Sequence, residues 1–217
     1  MLSNTEENYL KALVHLTIEK GLKDAGTNEL AQLLGVKPAT ATDMLKKLKT
    51  KKLVDYKKYG RITITAPGRK HAIEVIRKHR LWETFLFEKL HFSWDEVHEV
   101  AEQLEHIQSK KLIDELDRLL GFPSVDPHGE PIPSSKGELK VKPRITLAEA
   151  ALKTTHIVMG VNDDHAEFLQ YVDKVGCKIG AKIKVIQRHA FDDSHELEIN
   201  GKKALVTAKF AQQIFVA

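Results

Sequence analysis

The chain changes character at one place. Five of its seven prolines (Pro123, Pro127, Pro131, Pro133 and Pro143) fall in a single stretch with Gly129, Ser134, Ser135 and Gly137. Proline fixes φ and removes a backbone donor, so neither a helix interior nor a central strand runs through such a stretch. Before it, apolar residues recur at helical spacing; after it, short β-branched runs such as 182–186 and 197–199 are separated by Gly and Asp turns. The expected fold is mainly α with small β elements: a helical part, a Pro-rich linker over 123–144, and a β domain over 145–217.

The helical part divides again. Ser3 to Glu6 has the S-x-x-E form of a capping box and opens a helix through Tyr9, Leu10, Leu13 and Leu16. After a turn over 21–26, Thr27 is expected to cap a short helix ending at Leu34 and Gly35, and Val36-Lys37-Pro38 turns into a second helix over 39–49. Two short helices joined this closely make a helix-turn-helix. Residues 53–56 and 61–65 then alternate in polarity around a tip at 57–60, a β-hairpin wing. A winged helix-turn-helix is thus expected over 1–70. Two long helices, one over 67–90 and one opened by the capping box Ser93-Trp94-Asp95-Glu96, build a second helical domain over 71–122, with apolar stripes suited to mutual packing or a dimer interface.

Charge is distributed unevenly across these two domains. From Lys37 to Arg80, fourteen Lys or Arg stand against three acids, a balance of 14 − 3 = +11; from Leu81 to Glu130, four stand against twelve, a balance of 4 − 12 = −8. The basic block is a footprint for a polyanion, and the acidic block suits cations. In a winged helix-turn-helix the second helix enters the major groove, so Thr40, Thr42 and Asp43 would face base edges while Lys37, Lys46, Lys47, Lys57, Lys58 and Arg61 hold phosphates. The same helical pattern also serves protein-binding modules, and a Lys-rich face can be merely solvated. The wing and the concentrated charge favour double-stranded DNA.

The acidic block contains His98-x-x-x-Glu102-x-x-Glu105-His106. At 100° per residue these four side chains span an arc of about 100° beside the apolar arc of Val97, Val100, Ala101, Leu104 and Ile107. On the preceding helix His79 and Glu83 lie four residues apart and share one side. A lone charged helix face is ordinarily solvated, but two such helices can present a cluster, and Glu102 and Glu105 repel unless a cation lies between them. Oxygen and imidazole donors suit Mn²⁺ and Fe²⁺, although Zn²⁺ or Cu²⁺ binds the same atoms more tightly. The one cysteine, Cys177, rules out an intramolecular disulfide and a Cys-rich zinc site, and is expected to pack in the β domain.

No run approaches the ~20 apolar residues of a membrane span, and the first residues lack a signal peptide's features, so a cytoplasmic protein is expected. His and carboxylates also build hydrolytic sites, which leaves a metal-dependent hydrolase as one alternative and a metal-independent DNA-binding regulator as another. No Ser/His/Asp or Cys/His arrangement and no phosphate-cradling Gly loop supports an enzyme. His71, His91, His156, His189 and His195 receive no role.

Taken together, Glu7-Asn8-Tyr9-Leu10, Arg77-Lys78-His79-Arg80-Leu81-x-Glu83, Val97-His98-x-x-x-Glu102-x-x-Glu105-His106 and Pro127-x-Gly129-x-Pro131-Ile132-Pro133 resemble the diphtheria toxin repressor and manganese transport regulator family of metal-dependent repressors. Ile145-Thr146-Leu147-Ala148-Glu149 and Val175-Gly176-x-x-x-Gly180 are similar to its SH3-like domain, related to the ferrous-transport accessory protein. The resemblance implies a homodimeric repressor of metal-uptake genes. It implies a primary metal site of Asn8, Glu102, Glu105 and His106 and a second of His79, Glu83 and His98, to which Asp164 and Glu167 align loosely. Asn at position 8, where relatives carry Asp or Met, offers an oxygen without charge, and Glu rather than Cys at 102 points to Mn²⁺, with Fe²⁺ as the alternative. Some members hold an anion with Arg and polar residues near the linker motif; Asp126 and Glu130 occupy that region here, against such an anion.

If six phosphates are neutralised per protomer, log K for operator DNA falls against log[salt] with a slope of about −5, and about −10 for a dimer. Fluorescence anisotropy across a salt series measures it, and a slope near zero excludes the proposed phosphate contacts.

Overall fold

Helix α1 (Asn4–Val14) starts where the capping box is expected: the Ser3 amide donates to Glu6 Oε2 at 2.9 Å, and the Glu6 amide donates to Ser3 Oγ at 3.3 Å. The structure is a computed structural model that describes the chain apart from residues 1, 20, 22, 57–60, 142–143 and 163–164. The described residues form two compact units, one of 1–79, 103–115 and 133–141, the other of 80–102, 116–132 and 142–217.

In the first unit, α2 (Thr27–Leu33) and α3 (Pro38–Thr50) follow α1. Gly26, not Thr27, is the N-cap of α2, because Glu29 reaches back to accept from the Gly26 amide at 2.7 Å, which draws the extended residue one position earlier. Pro38 opens α3, where its missing N–H costs nothing. Strands β1 (Val54–Tyr56) and β2 (Ile62–Ile64) pair antiparallel as the wing, whose tip lies outside the described residues. Leu10, Leu13, Leu30, Leu45, Leu48 and Ile62 are fully buried and form the heart of this unit's core.

Helix α4 (Ala66–Leu90) begins in the first unit and ends in the second. Thr65 caps it by accepting from the Gly68 amide at 3.2 Å. Nearly every residue from Val75 to Leu86 is buried, including Arg77, Lys78, His79, Arg80 and Glu83. A helix enclosed on all sides must supply partners for such charges, and this requirement builds the site.

The second long helix expected before the Pro-rich stretch is two short ones, α5 (Val97–Leu104) and α6 (Lys110–Leu119). The ladder stops after Leu104, whose carbonyl accepts from the Ile107 amide at 3.2 Å in a tight turn, and restarts where Ser109 Oγ accepts from the Leu112 amide at 3.4 Å. Glu105 and His106 therefore leave α5 on a turn rather than lying along a continuous helix face.

The second unit carries β3 (Ile145–Thr146), β4 (Thr155–Val161), α7 (Ala166–Val175), β5 (Lys182–Arg188), β6 (His195–Ile199), β7 (Lys202–Val206), α8 (Ala208–Gln213) and β8 (Ile214–Val216). Its six strands form one antiparallel sheet in the order β3-β8-β4-β5-β6-β7. Cys177 is buried in that core and its thiol is pushed up to about 12 by burial, so it stays protonated. Among the described residues no helix is long and apolar enough to cross a membrane.

Part of the Pro-rich stretch is tightly folded. Asp126 Oδ1 accepts from the amides of His128 at 2.8 Å and Glu130 at 3.0 Å, and Val125 bridges to Pro131. The Val161 amide donates to the His128 carbonyl at 3.0 Å, which pins the turn to β4. Gly129 has φ +84°, and a Cβ there would lie 2.0 Å from the Met159 carbonyl oxygen. Gly129→Ala meets both the left-handed backbone and this clash, so it should cost at least about 3 kcal/mol and lower Tm by roughly 10 °C. Thermal melts followed by circular dichroism check this; an unchanged Tm means the turn does not lie against β4.

Candidate metal centre and DNA-binding face

Ala41, Leu45 and Leu48 turn one side of α3 into the core, which leaves Lys37, Thr40, Asp43, Lys46 and Lys47 exposed and Thr42 half-buried. Lys46 Nζ lies 2.9 Å from Asp43 Oδ1, and this partner holds the Asp43 carboxyl below its usual range. Arg61, immediately before β2, donates to Asp24 at 2.7 Å and lies 3.8 Å from Glu29. Two of the six basic side chains expected on phosphates are thus already engaged within the chain, while Lys57 and Lys58 lie outside the described residues.

Within the first unit, α1 presents Glu7, Asn8 and Lys11 on one face, at the three- and four-residue spacing that aligns side chains along a helix. Lys11 Nζ lies 2.9 and 2.8 Å from the two oxygens of Glu105. His79 Nδ1 lies 2.6 Å from Glu105 Oε2, and Glu105 is fully buried. Burial alone would raise this carboxyl's pKa; the His79 hydrogen bond and the Lys11 charge outweigh it and hold the group below its ordinary value. His106 Nδ1 lies 2.6 Å from Glu7 Oε2, its Nε2 lies 3.7 Å from Glu105 Oε1, and Gln108 donates to Glu7 Oε1 at 3.0 Å. The amide oxygen of Asn8 is buried with no hydrogen-bond partner. A buried acceptor left in this way is costly unless something positive meets it. That orphan oxygen, together with Glu105 and the His106 ring, suits a hard divalent cation.

The second unit holds another His/carboxylate group. Glu83, 2% exposed, lies with Oε1 3.2 Å from His98 Nδ1 and with Oε2 3.7 Å from His128 Nδ1. His98 Nε2 is 3.7 Å from Glu102 Oε1. The three residues that the resemblance groups around a second metal, His79, Glu83 and His98, each offer a ligand atom within 4.8 Å of the others, and His79 is also bonded to Glu105. Glu167 is exposed in the first turn of α7, and Asp164 lies outside the described residues.

Sequence reasoning passed over Glu7, Lys11, Gln108 and His128. Glu7 and Lys11 were legible as neighbours of Asn8 on one face of α1, whereas His128 and Gln108 carry no local signal. Next to Glu83, Arg80 pairs with Glu130, donates to the Pro131 carbonyl at 2.8 Å and lies 3.6 Å from Asp126. Arg144 lies 3.3 Å from Glu130 and stacks 4.1 Å above the Phe215 ring. Glu130 thus supplies from within the chain the negative charge that an anion would bring to these two guanidiniums.

Family models match nearly the whole chain: the iron dependent repressor N-terminal DNA binding domain over 1–62, the iron dependent repressor metal binding and dimerisation domain over 65–134, and the FeoA domain over 145–217. The chain belongs to the iron-dependent repressor family. This is a family of transcription regulators, not of enzymes, so the hydrolase alternative falls away. Over 115 residues the repressor is 35% identical to an uncharacterized HTH-type transcriptional regulator of Methanocaldococcus jannaschii, covering 53% of this chain and 91% of that one. Its fold is similar to that of a manganese-dependent transcriptional repressor in complex with manganese, with TM-score 0.88, 34% identity and coverage of 98% and 99% of the two chains. A structure of ScaR with bound Cd²⁺ gives TM-score 0.81 at 36% identity, covering 98% of each chain. The winged helix-turn-helix and the SH3-like β domain expected from the sequence are those of this family, the latter built on the C-terminal antiparallel sheet.

His128 is buried, and burial by itself would lower its pKa; the neighbouring Glu83 and Asp126 carboxylates outweigh it and carry the ring to about 8. A folded pKa above the ordinary 6.5 means that this ion pairing stabilises fully below pH 6.5 and is lost as pH rises through 8. Asp126, pushed up to about 7 by burial, acts in the same direction. In chelator the repressor should lose about 2 kcal/mol between pH 6 and 9 through His128, and His128→Gln should flatten that loss. Denaturant melts at each pH measure it; equal slopes in both proteins refute the assignment.

Proposed function

We propose that this repressor binds operator DNA as a homodimer when a divalent cation, Mn²⁺ with Fe²⁺ as the alternative, is held by Asn8, Glu102, Glu105 and His106, and that it controls metal-uptake genes. The observation that carries the reading is the fully buried Glu105 carboxylate beside His106, with the partnerless oxygen of Asn8 in the same unit. The similarity to a manganese-dependent repressor in complex with manganese and the thiolate-free donor set favour Mn²⁺. His79, Glu83 and His98 are proposed as a second site. The match to a dimerisation domain, together with exposed Phe87, Leu90, Leu119 and Phe122, supports the dimer.

Bound at these residues, the cation supplies two positive charges that a buried carboxylate, an imidazole and an amide oxygen can share. The chain's own residues do the rest. Helix α1, the first element of the DNA-binding domain, brings Asn8 and Lys11 toward the turn carrying Glu105 and His106. Without metal, the Lys11 ammonium neutralises Glu105. Asn8, Glu105 and His106 would hold the metal ion, which would supply the positive charge that Lys11 otherwise gives Glu105, so the setting of α1, and with it the recognition helix α3, would depend on which cation Glu105 holds. A dimer then reads two half-sites only when its two α3 helices are correctly spaced.

Mn²⁺ should tighten operator binding by a few hundredfold, about 3 kcal/mol of coupling. Anisotropy with promoter DNA in MnCl₂, anaerobic FeSO₄, ZnCl₂ or chelator tests this, and Glu105→Gln or His106→Ala should remove the response. If chelator changes nothing, the protein is a metal-independent regulator. Lys11→Met should cost the metal-free protein about 3 kcal/mol by stripping a partner from a buried carboxylate, and should tighten Mn²⁺ binding several-fold. Melts and metal titrations of that variant read both effects.

A further inference from the structure

Helix α4 gives most of its enclosed charges a partner, and Lys78 is the exception. The residue is 7% exposed, yet among the described residues it makes no hydrogen bond or ion pair. Water serves as the partner of a lysine on a solvated face, but Lys78 has little access to it. A buried cation without a counter-charge is unfavourable, so the negative group has to come from outside the chain.

Lys78 lines a cavity of about 250 Å³ that lies wholly within the first unit. Three segments wall it: α4, which contributes residues 70, 73, 74, 77 and 78 at the spacing of one helix face; the turn that leads into α6; and the end of the Pro-rich stretch over 134–137. Its charged side chains are Lys70, Arg77, Lys78, Lys110 and Lys136 against Glu74 and Asp114, a surplus of 5 − 2 = +3. Asp114 is already held by Lys110. Lys70 and Lys136 are exposed, which leaves the cavity a cationic mouth above the buried Lys78.

Neutral donors border the same space. The first helical bond of α6 runs from the Ile113 amide to the Ser109 carbonyl at 3.2 Å, and Ser109 Oγ accepts from the Leu112 amide at 3.4 Å. The amides of Lys110 and Lys111 precede that ladder, so the positive end of a ten-residue helix is part of the wall. In the 134–137 turn, Ser134 Oγ accepts from the amides of Lys136 at 3.3 Å and Glu138 at 3.2 Å, which fixes the turn and leaves Ser135 exposed beside Lys136. Ile73 and Ile113, both buried, supply an apolar floor.

We propose that this cavity binds a small phosphate monoester, with its phosphate on Lys78 and the N-terminus of α6 and its carbon stem against Ile73 and Ile113. Lysine meets phosphate as a point charge, and a helix N-terminus adds amides and dipole, so the donors suit a dianionic group with three acceptor oxygens. The volume equals roughly eight waters at about 30 Å³ each, which admits a phosphate and a few carbons but no ligand of nucleotide size. None of the proposed metal ligands takes part, so the site stands apart from the metal-dependent reading.

Isothermal titration calorimetry of the full-length protein with glycerol 3-phosphate, in chelator and without DNA, tests the site. One equivalent per protomer should bind, about tenfold more tightly than inorganic phosphate or citrate. Lys78→Met should weaken binding about tenfold and Lys136→Glu about fivefold, while Lys209→Glu, a charge reversal in the second unit, should change it less than about twofold. No saturable binding, or equal loss in all three variants, overturns the proposal. Inorganic phosphate or citrate binding as tightly as the ester overturns the assignment of ligand class. Should Lys78→Met fail to fold by circular dichroism, the contrast between Lys136→Glu and Lys209→Glu decides. If glycerol 3-phosphate does not bind while Lys136→Glu lowers the salt slope for operator DNA by about one, the cavity serves the duplex backbone and the proposal fails.

Discussion

A carboxylate with no exposure to water has to be neutralised, and Glu105 is such a group. Removing its charge from solvent is unfavourable by several kcal/mol unless positive partners compensate. Lys11 and His79 do so, one from α1 and one from α4, with the acid itself on the turn after α5. Three segments far apart in sequence are therefore bound to one charge, and whatever competes for that charge acts on all three. This makes the site a point of control rather than a set of surface ligands.

The break between α5 and α6 follows from the same requirement. A continuous helix over this region would keep Glu105 and His106 on a fixed face with the spacing that periodicity assigns. The turn frees both to point where Glu7, Lys11 and His79 can meet them. Short helices with polar residues at their ends are sacrificed regularity in exchange for donor placement.

Much of the architecture was legible in the residues. The Ser3 capping box, Pro38 at the start of α3 and the alternation of the wing are local signals, and local signals read well. The acidic and basic blocks also separated DNA-binding from cation-binding regions, because charge sums need no knowledge of packing. What sequence could not supply was pairing between distant segments: His79 bonded to Glu105, or His128 brought to Glu83 across 45 residues of chain. The Pro-rich stretch misled for a related reason. Proline excludes helix and sheet but not compact turns, and Asp126 uses its side chain to build one.

The pair between Asp43 and Lys46 has an outcome for how such a helix would explore a genome. A lysine that already holds its own counterion gains less from any passing phosphate, so under the proposed reading random duplex would be gripped weakly and a dimer could slide on. Where a base edge offered Asp43 a donor, the acid would turn inward and the lysine would be released to the backbone. One carboxylate would then slow the search only at sequences worth stopping for.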